Sequence, residues 1–236
     1  MKYILSIFFI SLLSITQVIA KNIELTFEEK KFIRDNPQII VGAERDWPPF
    51  DFVENNQYTG VAKDYLDLIA KKSGFEFKYE IDTWENLLKK TQEKSIDLLP
   101  AIYPSSDRKK FLLFTNNYIT TRDYIITKKT TKGITSTSDL NGKTVAIVKS
   151  YVQDEIFRKK YPKVNIYYVN SFVESLDAVI TNKADFIVSN IAIINYHIQK
   201  KGFTELEPKF YFGDNLNKLK MAVGHHNRIL RNIITK

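Results

Sequence analysis

The sequence predicts an α/β protein built as two similar lobes, and three observations carry that prediction. Short apolar runs of strand length alternate with segments of helical periodicity, the pattern of βα units around a mainly parallel sheet. The alternation pauses at the turn Asp139-Leu140-Asn141-Gly142-Lys143 and then starts again. Finally, Trp84-Glu85-Asn86-Leu87-Leu88, nine residues before Asp97, resembles Phe172-Val173-Glu174-Ser175-Leu176, nine residues before Asp185, and no Gly/Ser- or Pro-rich linker divides the chain.

The elements follow in order. Residues 25–34 read as a leading helix, residues 38–42 as a strand, and residues 61–73 as a helix stopped by Gly74, a residue suited to the left-handed position after a helix. Residues 75–81 read as a strand, 84–93 as a helix and 96–102 as a strand bounded by Pro104. Residues 111–114 and 123–128 are further extended segments. In the second half, strands are expected at 144–148, 164–169 and 186–189, and helices at 152–160, 172–181 and 191–200, with a closing helix over 227–236. Residues 21–118 are therefore expected to form the first lobe and 119–212 the second, with 213–236 returning to the first.

The N-terminus reads as a secretory signal peptide. Met1-Lys2 precedes an apolar run over residues 3–13, and small residues at Val18 and Ala20 sit at minus three and minus one of a cut before Lys21. Ser14, Thr16 and Gln17 interrupt the roughly 20 apolar residues that a membrane span needs. Export to the periplasm with cleavage after Ala20 is the expectation. The chain has no cysteine, which excludes lipid attachment at the cleavage site and disulfides alike.

Composition narrows the partners. With 44% hydrophobic and 13% aromatic residues, the chain has enough apolar surface for a core. Its 35 basic and 27 acidic residues give +8, and removing Lys2 with the signal peptide leaves +7. The lysines are scattered in pairs at the ends of apparent helices, so solvated faces explain them and nucleic acid is not an expected partner. No glycine-rich phosphate loop, Ser/His/Asp order or metal-ligand spacing is present: His197, His225 and His226 lack acidic partners at ligand spacing. Glu44 and Asp46 are adjacent acids, either a catalytic pair or solvated loop residues. The sequence argues against an enzyme and implies no cofactor and no metal.

Between two lobes the cleft beyond the carboxyl ends of the strands is the default ligand site. Five segments reach it. The apolar run over 96–102, with Ala101, continues through Tyr103 to Ser105-Ser106-Asp107-Arg108, delivering a guanidinium that can clamp a planar anion through two parallel hydrogen bonds. Ser105 reads equally as a helix N-cap and Arg108 as a surface ion-pair partner. Glu44-Arg45-Asp46-Trp47-Pro48-Pro49-Phe50 holds Trp47 in an extended loop, as a core residue or a ligand wall. Trp84 opens a helix, as an apolar anchor or a second wall. Lys149-Ser150-Tyr151 lies between a strand and a helix start, where free N–H groups attract an anion, and Ser189-Asn190 ends a strand.

The order and spacing of these segments resemble the bacterial extracellular solute-binding proteins of family 3, two-lobed "Venus flytrap" binders of polar amino acids, over about residues 36–227. The resemblance implies the periplasmic-binding-protein fold of type II, with two hinge strands near residues 115–121 and 210–219. It implies that aromatics at Trp47 and Trp84 sandwich the ligand side chain, that Arg108 grips its α-carboxylate, and that backbone N–H groups of Lys149, Ser150 and Tyr151 complete the carboxylate site. An acid five residues after Asp185 binds the α-ammonium in that family, and here that position is Asn190; Glu44 is the substitute. Transport binders usually carry Gly-Thr where this chain has Ser150-Tyr151. Both departures, with the Trp-Pro-Pro-Phe form and the leader over 25–37, look more like flytrap sensor domains that precede histidine kinases and diguanylate cyclases, although this chain stops at Lys236. The expected function is hinge-closing capture of a small carboxylate-bearing solute by a monomer, for uptake through an inner-membrane ABC permease or for sensing. The alternatives are a periplasmic enzyme of dehydratase type on the same fold and a truncated sensor.

Overall fold

In a computed structural model the chain is described over residues 23–213 and 216–236, so the expected signal peptide lies outside the described residues. The elements, in order, are α1 (Phe27–Asp35), β1 (Gln38–Glu44), β2 (Asp46–Trp47), β3 (Asp51–Glu54), β4 (Gln57–Thr59), α2 (Val61–Ser73), β5 (Glu76–Asp82), α3 (Trp84–Gln92), β6 (Leu98–Ile102), β7 (Leu112–Thr121) and β8 (Asp123–Lys128). They continue as β9 (Thr144–Val148), α4 (Val152–Lys160), β10 (Asn165–Val169), α5 (Phe172–Ile180), β11 (Ile187–Asn190), α6 (Ile191–Lys201), β12 (Leu206–Tyr211), β13 (Asn217–Gly224) and α7 (Arg228–Thr235).

The first sheet runs β5-β1-β6-β13-β7. In the second, β10-β9 and β11-β8-β12 are joined by a parallel bridge between Val145 and Phe186, giving the same order of strand types. Each sheet is mixed. The βα strands pair parallel, as expected, while β13 pairs antiparallel with β6 and β7, and β8 pairs antiparallel with β11 and β12. These antiparallel strands are the chain segments that cross between the lobes, so their direction follows from the topology.

The internal similarity has a structural meaning. Asp97, just before β6, accepts from the Ile40 N–H of β1 at 2.9 Å, and Asp185, just before β11, accepts from the Thr144 N–H at the start of β9 at 2.7 Å. Each acid satisfies one backbone donor of the first strand of its lobe and so fixes where β6 and β11 begin. Asp97 also accepts from Asn227, which ties the entry to α7 to the first sheet.

Helices cover both faces of the first sheet. Leu66 of α2 and Leu230 and Ile233 of α7 pack with Ile39, Val41 and Leu98 on one side, and Leu87 of α3 packs with Leu99, Leu112 and Ala222 on the other. All five residues of β6 are buried, which is why its sequence is continuously apolar. Each buried leucine or isoleucine contributes about 1.5–3 kcal/mol by its removal from water. In the second lobe Phe157 of α4 stacks on Phe212, with ring centroids 5.2 Å apart.

Two strands cross between the sheets side by side. β7 passes through Arg122 into β8, and β12 leads back to β13, with Thr121 paired to Asn217 and Tyr124 to Tyr211. The expected lobe division after residue 118 falls inside β7, whereas the division after 212 falls between β12 and β13. No described helix is long and apolar enough to cross a membrane.

Candidate functional site

The lobes meet over a cavity of about 40 Å³, space for roughly three water molecules. Its walls bring together Glu44, Trp47, Trp84, Ala101, Tyr103 and Arg108 from the first lobe. Tyr151 and Asn190 face them from the second.

Arg108 is the centre of this arrangement. A 3-10 turn over Arg108–Lys110 follows Pro104, with the Ser105 hydroxyl accepting from the Arg108 N–H at 3.2 Å. Ser105 thus braces the start of the turn, whose N-cap position is Asp107, and is not among the residues that line the cavity. The Arg108 side chain is buried, with 7% of its surface exposed. One guanidinium nitrogen donates to the Tyr103 carbonyl at 2.6 Å and another to the Ser150 carbonyl at 3.0 Å, while the group lies 5.2 Å from the centre of the Trp84 ring. No carboxylate lies within ion-pair distance of it among the described residues. Burial lowers its pKa to about 10, so it stays charged at neutral pH.

The loop after β9 differs from expectation. The Lys149 N–H goes to the Val169 carbonyl and the Tyr151 N–H to the Val148 carbonyl, which leaves neither for an anion. The β9–β10 pairing takes the Lys149 N–H, and the turn Val148–Tyr151, whose third residue, Ser150, has φ 64°, takes the Tyr151 N–H. In such a turn Ser150 presents its carbonyl instead, and this accepts from both the Trp84 indole at 3.0 Å and Arg108. Glycine adopts this backbone without strain, which accounts for the Gly-Thr form of the resemblance. The Lys149 side chain is exposed and lies outside the cavity wall.

Trp47 is held by the loop that caps α2. The carbonyls of Pro49 and Phe50 accept from Val61 and Ala62, two of the first N–H groups of the helix, and Gly60 between them has φ 115°. The Trp47 ring packs edge-on against Tyr103 and beside Phe50. Trp84 lies under Arg108, so its ring is first of all a platform for the guanidinium.

Further contacts close the cleft. The Tyr151 hydroxyl donates to the buried Glu44 carboxylate. Burial pushes Glu44 well above the usual carboxylate range, and the Tyr151 hydroxyl opposes that rise. Asp46 accepts from the Val173 N–H at the start of α5, where the helix dipole favours an anion. Glu44 and Asp46 therefore hold separate hydrogen-bond partners on the second lobe, while the charge of Asp46 adds to the rise of Glu44. Tyr196 donates to Glu54, and Lys159 pairs with Asp107 at the rim.

Asn190 caps α6, with its side-chain oxygen accepting from Ala192 and Ile193 at 3.1 and 3.2 Å. That is an N-cap role, and asparagine suits it as well as aspartate does. The cavity wall also includes Asp123, Gln153 and Phe172, which the sequence reading missed. Asp123 opens β8 with no local motif to mark it; only the pairing of β8 with β11 brings it to the site. Among the described residues no group of three or more His, Asp or Glu is placed to hold a metal.

A two-lobed α/β module whose crossing strands leave a cavity walled by aromatics and buried charges is a flytrap-type ligand-binding protein. The model for bacterial extracellular solute-binding proteins, family 3, matches residues 39–168, more than half of the chain, and the chain belongs to that family. It is 24% identical over 174 residues to the virulence sensor protein BvgS of Bordetella pertussis, covering 73% of this chain and 14% of that protein. It is 31% identical over 127 residues to the arginine-binding extracellular protein ArtP of Bacillus subtilis, covering 53% of this chain and 49% of that protein. The chain thus spans about a seventh of the first relative and about half of the second. Among solved structures, the VFT2 domain of B. pertussis BvgS superposes with a TM-score of 0.80 at 21% identity, covering 90% of this chain and 91% of that one. The P235GK mutant of ArgBP from T. maritima superposes with a TM-score of 0.77 at 24% identity, covering 88% of this chain and 90% of that one.

Proposed function

We propose that this chain is a periplasmic binder of a small carboxylate-bearing solute, an amino acid or close relative, captured by closure of two lobes about the crossing strands. The observation that carries the reading is the buried Arg108 guanidinium at the cavity wall, held by carbonyls and an aromatic ring. Carbonyls orient the group, Glu155 and Glu44 act on it only from beyond ion-pair distance, and a carboxylate accepting two parallel N–H bonds supplies a direct countercharge. Trp47 and Trp84 bound the space beside it. Ser105 and Lys149 act on the turn and at the surface, outside ligand contact. Residues 21–118 and 119–212 are the proposed lobes, with hinge strands near residues 115–121 and 210–219 and the return over 213–236. Cleavage after Ala20, a monomeric state and delivery to an ABC permease complete the uptake form of the proposal, which involves no catalysis.

A second form, ligand sensing as part of a larger signalling protein, is favoured by the Tyr151–Glu44 contact. The Ser150-Tyr151 pair gives the cleft its own closing contact where the transport binders of the resemblance have Gly-Thr, and the BvgS relation covers more of the chain than the ArtP relation does. Thermal-shift screening of residues 21–236 with the L-amino acids, small carboxylates and their carboxamide counterparts tests the common core of both forms. Stabilisation by a carboxylate and not by its carboxamide is expected. Stabilisation only by uncharged solutes such as sugars would overturn the reading.

A further inference from the structure

We infer that Asp123 is the cleft's receptor for a ligand ammonium group, replacing across the β8–β11 ladder the acid that position 190 lacks. The inference rests on the carboxylate-binding reading and adds a second, opposite charge to the ligand.

The geometry begins with the strand register. Asp123 at the start of β8 pairs directly with Asn190 at the end of β11 in an antiparallel ladder. Residues directly opposite one another project from the same face of a sheet with Cβ atoms about 4.5–5.5 Å apart. A carboxylate at 123 therefore reaches the space beside a side chain at 190, and both residues line the cavity that Arg108 also lines.

The surroundings of Asp123 are those of an anion without a cation. Its side chain is buried, with 6% of its surface exposed. Gln153 donates to one carboxylate oxygen at 3.2 Å, and Asn217 is its other side-chain partner. The ionisable neighbour is the Tyr103 hydroxyl, which is engaged with Thr121 at 2.8 Å. No lysine, arginine or histidine pairs with Asp123 within ion-pair distance among the described residues. Neutral amides orient a carboxylate but do not cancel its charge, and a buried charge with no counterion is costly unless a ligand provides one.

Asn190 cannot take this part. Its oxygen is committed to capping α6, and its amide N–H groups are donors, which repel an ammonium. Position 190 keeps the capping role and position 123 carries the charge, so a cavity with Arg108 on one wall and Asp123 on another suits a zwitterion with both groups on one small molecule.

The test uses residues 21–236 and isothermal titration with each L-amino acid beside its des-amino carboxylic acid. The wild type is expected to prefer an amino acid to its des-amino acid, and Asp123→Asn to collapse that preference by roughly 10- to 100-fold, the range for one charged hydrogen bond. The double variant Asp123→Asn/Asn190→Asp moves the charge back across the ladder, keeps an oxygen on the α6 cap and should restore much of the preference. It also keeps the proposal testable if Asp123→Asn alone folds poorly. Equal preference in wild type and Asp123→Asn would overturn the role of Asp123. A wild type that binds only des-amino acids would overturn it too, while leaving the Arg108 reading intact. Failure of both ligand classes, with Arg108→Ala indistinguishable from wild type, would overturn both.

Discussion

Asp51→Asn should make this protein more stable at neutral pH, and the reason lies in where the carboxyl is placed. Asp51 opens β3 opposite Trp47, has no exposed surface, and faces the Tyr58 hydroxyl and the Glu44 backbone without closing a well-formed hydrogen bond. Burial raises its pKa from 3.8 to about 7. Between these values the folded chain binds the proton more tightly than the unfolded chain does, so stability falls as pH rises through the interval. Below pH 4 the carboxyl is neutral in both states and the effect vanishes. Above pH 7 it reaches about 4 kcal/mol, at roughly 1.4 kcal/mol for each pH unit between the two values. Asparagine has nearly the same shape and never ionises. Urea unfolding of both proteins from pH 4 to 8 should therefore show equal stabilities at the acid end and a growing advantage for the variant towards pH 7.5. Asp123, raised to about 6 by burial, lowers the stability of both proteins in the same direction and cancels in the comparison. Asp82, lowered to about 2 by its hydrogen bonds to Lys90 and Asn86, acts only at pH below this range. An advantage independent of pH, or a variant less stable than wild type at pH 7.5, would refute the reasoning.

Three further outcomes follow from packing and hydrogen bonding. Asn190→Ala should lose about 0.5–2 kcal/mol through the uncapped start of α6, as read by thermal unfolding at pH 7, while Asn190→Ser, which keeps an accepting oxygen at the cap and adds no charge beside Asp123, should lose less; equal losses would deny the cap. Gly60→Ala places a Cβ 2.5 Å from the Phe50 carbonyl at a φ of 115° and should cost on the order of 3 kcal/mol or more, against ~1 kcal/mol for Gly74→Ala, where φ is 85° and the space is open. Chemical denaturation ranks the two, and the reverse order would contradict the structure. Tyr151→Phe removes the hydroxyl that meets Glu44 across the cleft and should weaken the closed arrangement by ~1–3 kcal/mol. Small-angle scattering should then give a larger radius of gyration, and an unchanged curve would remove Tyr151 from the closing contacts.

The helices and the parallel strands were legible because each carries a local signal. Gly74 in the left-handed conformation ends α2 as its position in the pattern indicates, and β9 and α4 fall on the expected residues. The small sheet β2-β3-β4 was not legible, because strands of two to four residues are too short for a periodic pattern to emerge. The sequence marks β13 only as part of a hinge, although it occupies an inner position of the first sheet and buries Leu219, Met221, Ala222 and Val223. Its partners β6 and β7 lie about a hundred residues away, and no local signal reports such a pairing. The site divides in the same way. Arg108, Trp47 and Trp84 stand in short motifs, whereas Asp123 reaches the cavity through strand register alone. The helix-start signal that points to residues 149–151 does not report that the Lys149 and Tyr151 N–H groups are spent on Val169 and Val148.

The central claim, that Arg108 holds a ligand carboxylate, is tested most directly by isothermal titration of the wild type and Arg108→Ala with the carboxylate that gives the largest thermal shift. Melting curves establish that the variant folds. Loss of one partner of a buried charge pair costs on the order of 3–5 kcal/mol, so affinity should fall by roughly 10²- to 10³-fold or more. Affinities within threefold of each other in two folded proteins would place the carboxylate elsewhere and contradict the account.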